Sequence, residues 1–140
     1  MTIGQKIKKI RKQKGLSRKQ LAYMCDMSDF TIRGYELGSR TPSLKQLEKI
    51  AASLGVNVLA ISDINIDTRV GVAHNLFELE EQYDITVTRK NGCLCLTSNN
   101  SSIVNFLSEW NNMKEKFAAG EITQEEYDMW RYNYPIANGE

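Results

Sequence analysis

Apolar residues recur at steps of three and four along most of this chain, and only one stretch alternates. Ile3, Ile7 and Ile10 mark one face of a first helix, and Gly15 stands where a left-handed C-terminal cap is wanted. The run SRKQ, Ser17 to Gln20, is a capping box opening a second helix that turns Leu21, Ala22 and Cys25 inward. Asp26 to Ser28 bridge to a third helix, with Ser28 as its N-cap, Ile32 and Tyr35 facing a core, and Gly38 at its end. A further capping box, Ser43 to Gln46, starts a fourth helix with Leu44, Leu47, Ile50, Ala51 and Leu54 on its apolar face. Gly55 stops that helix, and VNVLAIS reads as a last short one, so residues 1–62 are predicted to hold five helices.

Beyond Asp63 the pattern changes. A helix from about Thr68 to Tyr83 carries Ala73, Leu76, Leu79 and Tyr83 on one side. Two alternating runs then flank Asn91-Gly92, which favours a type I′ hairpin turn. With that turn Lys90 pairs with Cys93, Arg89 with Leu94, Thr88 with Cys95 and Val87 with Leu96, so Ile85, Val87, Leu94 and Leu96 share the apolar face. Ile103, Phe106, Leu107, Trp110, Met113 and Phe117 form a strongly amphipathic helix that Gly120 ends. A third capping box, Thr123 to Glu126, opens a final helix with Tyr127, Trp130 and Tyr134 along one stripe, stopped by Pro135. Residues 66–140 are therefore expected to form a small α+β module of helix, hairpin and two helices, with its aromatic residues as core.

At 140 residues, 41% hydrophobic and 25% charged, the chain has the composition of a soluble globular protein. No stretch approaches the roughly 18 to 20 apolar residues that span a membrane. The basic start lacks an apolar run behind it, so no signal peptide is expected and a cytoplasmic location is. The net charge of +1 hides an asymmetry: residues 1–62 hold 12 Lys/Arg against 4 Asp/Glu, a net +8, and residues 63–140 hold 6 against 13, a net −7. Such a division suggests that the first half meets a polyanion and the second does not.

Two short helices joined by three residues, the second carrying exposed polar side chains, make a helix-turn-helix. The major groove of DNA is about 12 Å wide and admits one helix, whose leading turn reads the base edges. The runs KGLSxxxLA, S…I…YE.G.R.P and L..L..IA..LGV follow in order across residues 3–62, a little under half of the chain. In these residues the chain resembles the XRE/Cro-type, lambda-repressor-like helix-turn-helix family.

That resemblance implies a DNA-binding transcriptional regulator, a dimeric repressor on a two-fold symmetric operator, with double-stranded DNA as partner and no cofactor. It puts base reading on Ser28, Asp29, Phe30 and Thr31, with Arg33 and Gly34 one turn on. Phosphate contacts fall on Arg18, Lys19, Ser39, Arg40 and Lys45, and Arg11 with Glu36 matches a structural ion pair. Three positions depart from the pattern. The turn glycine is Asp26, the inward leucine of the second helix is Cys25, and the amide-rich reading positions are Asp29-Phe30. Asp29 suits a hydrogen bond from cytosine N4 and Phe30 suits packing on a thymine methyl. Equally, Asp29 suits the positive end of the helix dipole, and Phe30 suits packing on a neighbouring element.

Other chemistry is thin. His74 stands alone, and three cysteines fit neither a disulfide framework nor a four-ligand zinc site. Cys93 and Cys95 share one strand face about 6.6 Å apart, an awkward disulfide; packing or exposure is the plain reading, and a redox or metal sensor across two subunits the sharper one. No catalytic constellation or phosphate loop emerges, so no enzyme and no metal site is expected. The second half is expected to dimerise or to bind a protein partner. An antitoxin that blocks a toxin, or an adaptor without DNA binding, are the rival readings.

Overall fold

Four of the helix starts are built by the same local device. Thr2, Ser17 and Ser43 each accept the backbone N–H three residues on while Gln5, Gln20 and Gln46 reach back, and Ser28 caps without a return bond. The computed structural model describes residues 1–63, 66 and 68–136. Helices α1 (Ile3–Gln13), α2 (Arg18–Met24), α3 (Asp29–Leu37) and α4 (Leu44–Leu54) follow the expected order. The fifth expected helix is a single 3-10 turn, Val58–Ala60, capped by Asn57. Leu44, expected on the inner face of α4, is 64% exposed, because it is the first residue of the helix and precedes the turn that packs.

The chain divides into two units, Met1–Asp63 with Gln124–Glu140, and Ile64–Thr123. In the first, Ile7, Ile10, Leu21, Ala22, Cys25, Ile32 and Tyr35 meet Leu47, Ile50, Leu54 and Ile61 in one core. Gly4 is required where α1 crosses α3, since a Cβ there would overlap the Tyr35 carbonyl. Burial is the main cause acting on the Cys25 thiol and pushes its pKa up, against weaker opposing effects of Ser53 and Lys49, so it sits in the core as a protonated hydrophobe.

The last helix, α7 (Gln124–Asn133), belongs to this unit rather than to the module expected at 66–140. Met129 and Tyr132 pack on the core, and the Asn57 N–H donates to the Tyr132 carbonyl at 2.9 Å. Asp128 is buried and accepts from Gln13 at 2.9 Å, Gln124 at 2.8 Å and Arg131 at 2.6 Å. Burial opposes its charge, but the hydrogen bonds from Arg131, Gln124 and Gln13, with the Arg131 charge, outweigh it and hold the carboxyl below its ordinary value. Tyr127, expected in the core of the second half, is buried here instead, stacked on Trp130.

The second unit holds α5 (Arg69–Tyr83), β1 (Ile85–Lys90), β2 (Cys93–Ser98) and α6 (Ser101–Ala118). The hairpin has the expected register, Val87 opposite Leu96 and Lys90 opposite Cys93. Asn91 at φ 50° and Gly92 at φ 81° are both left-handed, as a type I′ turn demands. The expected apolar sheet face forms with Ile85 half-buried and Val87, Leu94 and Leu96 exposed, and Trp110 is 41% exposed. His74 lies edge-on to Phe77 at 6.0 Å. Among the described residues no group of His, Cys, Asp and Glu is placed to hold a metal ion, and no helix is long and apolar enough to cross a membrane.

Candidate nucleic-acid interface

The turn between α2 and α3 sets the site. Asp26 takes φ 56°, the left-handed geometry expected of a turn glycine, and the chain reverses there so that Leu21, Ala22 and Ile32 pack together. With Ile32, Tyr35 and Glu36 pinned inward, α3 has one free flank. Phe30 and Leu37, seven positions apart, share that flank with Arg33, and all three are exposed. Phe30 is 70% exposed.

Arg40 reaches back across this flank. Its guanidinium carbon stands 5.7 Å from the Phe30 ring centroid, within range of a cation–π contact. The Arg40 N–H and the Ser39 hydroxyl both donate to the Gly34 carbonyl, at 3.2 and 3.3 Å. Gly34 leaves room for this crossing, since a Cβ would lie 2.9 Å from Arg40 Cδ. Phe30, Arg33, Gly34, Leu37, Ser39 and Arg40 line one shallow depression of about 350 Å³. Gly34 itself is buried beneath Arg40, so its part in the site is space rather than contact.

The other positions divide by what already holds them. Ser28 Oγ accepts the Thr31 N–H at 3.1 Å and lies 2.8 Å from the Thr31 hydroxyl, so both side chains are engaged in the cap. Asp29 faces Arg18, Oδ1 to Nε 3.9 Å, with both side chains about two-fifths exposed. An ion pair this long and this wet is weak. Lys19, Arg33 and Lys45 are exposed. Arg11 and Glu36 form the expected pair at 2.5 and 3.0 Å, buried, with Arg11 also donating to the Leu16 carbonyl at 2.8 Å. Leu37 was not among the expected site residues, although its spacing from Phe30 would have found it.

Residues 7–61 match the family described as helix-turn-helix. Over 57 residues the chain is 40% identical to control protein C.BamHI of Bacillus amyloliquefaciens, covering 40% of this chain and 70% of that protein. The chain belongs to the XRE-type helix-turn-helix family. That family is one of regulators, not of enzymes. A second member, the immunity repressor protein of Bacillus phage phi105, is 35% identical over 85 residues, 61% of this chain and 58% of the repressor. The chain thus spans little more than half of that relative's length. Among solved structures, the restriction-modification controller protein C.AhdI of Aeromonas hydrophila is 30% identical, covering 43% of this chain and 87% of the controller at a TM-score of 0.42. In this chain the helix-turn-helix itself is α2 and α3.

Proposed function

We propose that the chain is a sequence-specific DNA-binding transcriptional regulator, working in the cytoplasm as a dimeric repressor on a two-fold symmetric operator. The observation that carries this is the outward flank of α3: an exposed Phe30 with Arg40 over its ring, beside Arg33, on a helix anchored by its other side. The +8 charge of residues 1–62 supplies sequence-independent attraction to the phosphate backbone. The names of the relatives, an immunity repressor and a control protein, support repression or control of transcription.

In this reading α3 enters the major groove. Phe30 and Arg33 meet base edges, with Ser28, Asp29 and Thr31 at the leading turn; a guanine suits Arg33 and a thymine methyl suits Phe30. Arg18, Lys19, Ser39, Arg40 and Lys45 hold the phosphates on either side, and Arg40 leaves Phe30 as a phosphate takes its charge. Gly34 keeps the helix low enough for this approach. Selection of bound duplexes from a random pool at about 150 mM salt tests the reading. A two-fold symmetric motif with half-sites about 34 Å apart is expected. Recovery of no motif, with weak sequence-blind binding, overturns it.

A further inference from the structure

Among its described residues, the second unit buries its apolar side chains only in part. Every buried apolar side chain of the described residues belongs to the first unit, and α5, the hairpin and α6 bury only Gly71. An isolated hairpin is marginal in water, and a domain of this size buries only about 60% of its unfolded surface even when well packed, so it has little stability to spare. Helix α5 makes the deficit plain. At 100° per residue Val70 and Phe77 fall on one flank and Val72, Leu76 and Leu79 on the opposite one. A helix with apolar side chains on opposed flanks has two faces to cover, and one neighbour covers only one of them.

Two bare surfaces of this unit complement each other. The first is the α5 flank of Val70 and Phe77, exposed by 63% and 59%, with His74 between them edge-on to Phe77 and Glu81 one turn beyond Phe77. The second is the hairpin face of Val87, Leu94 and Leu96, exposed by 60%, 67% and 57%, with Arg89 opposite Leu94 on the same face. Each presents apolar side chains that end in one charge, and the two charges are opposite. Five such residues expose on the order of 100 Å² each, about 500 Å² of apolar surface per copy, a fair core for an interface of about 800 Å² per partner.

We propose that the Val70–Phe77–Glu81 flank of α5 packs on the Val87–Leu94–Leu96 hairpin face of a second copy of this chain, reciprocally about a two-fold axis. Complementary patches carried on one unit close into such a dimer, because residue i meets j while j meets i. Glu81 of one copy then pairs with Arg89 of the other at each end. The inference rests on the dimeric reading above and names its surface.

Sedimentation equilibrium of the full chain from about 1 to 100 µM is the test. The wild type is expected to dimerise, and Phe77→Glu and Leu96→Glu each to weaken the dimer more than about tenfold. Glu81→Arg and Arg89→Glu, both at exposed positions, are expected to weaken it singly and to restore it when combined, which no folding defect would imitate. A chain that stays monomeric throughout, a dimer indifferent to all four changes, or charge reversals that add without rescue would each overturn the proposal. Failure here is separable from failure of the DNA reading. A monomer that still selects a single half-site retires the dimer and this interface but leaves the DNA reading, and a dimer that selects no motif retires only the operator.

Discussion

Phe30 is the residue whose exposure asks for a partner, and its substitution separates reading from folding. Phe30→Ala is expected to leave the melting temperature unchanged, since the ring is 70% exposed. It should erase about 1–3 kcal/mol of discrimination at one base pair of each half-site, read by competition between duplexes that differ there. Arg18→Ala and Arg40→Ala should instead weaken all duplexes alike and lower the salt slope by about one each. Arg11 and Glu36 carry the opposite kind of effect. Glu36→Ala strands a buried guanidinium and should cost about 3–5 kcal/mol in urea unfolding, with little change in which duplex is preferred. Cysteine shows the same contrast between buried and exposed positions. A thiol reagent should label Cys93 quickly and Cys25 only on unfolding, because Cys25 is buried and its thiol is held protonated.

At the scale of elements, local chemistry was readable and long-range packing was not. Capping boxes, the left-handed Asp26 and the Asn91-Gly92 turn depend on residues within four positions of one another, and the expected helix starts and hairpin register match the structure. The 3-10 turn at Val58–Ala60 and the outward Leu44 differ because three residues cannot sustain an α-helix and a helix's first residue need not face its core. Helix α7 differs more deeply. Its aromatic stripe is an ordinary amphipathic signal that names no partner, and Gln13 and Asp128 lie 115 positions apart.

That brace makes a prediction about acid. Asp128 has its pKa lowered in the fold, so its contribution is present above the ordinary Asp value of about 3.9 and is lost as pH falls through the lowered one. The wild type should therefore lose melting temperature below about pH 4, and Asp128→Asn should be less stable at pH 7 but lose less on acidification. Asp128→Ala should cost about 1–3 kcal/mol at neutral pH, mostly from the half-buried Gln13 amide left without its acceptor.

For the whole molecule, the lopsided charge and the partly covered second unit point the same way. The first unit owns a core, a basic surface and a brace; the second has bare apolar faces and needs a cover. The sequence by itself determined the helix-turn-helix, its caps and the flank that carries Phe30 and Arg33, because each follows from spacing within one or two adjacent elements; the Arg11–Glu36 pair, 25 positions apart, was implied by the family resemblance alone. Only the tertiary structure decided that α7 joins the first unit, that Arg40 lies over Phe30 across Gly34, that Asp29 faces Arg18, and that the hairpin face is left open. Those outcomes turn on which of several apolar or charged surfaces meet. Periodicity says that a face must be covered, and only packing among distant segments says by what.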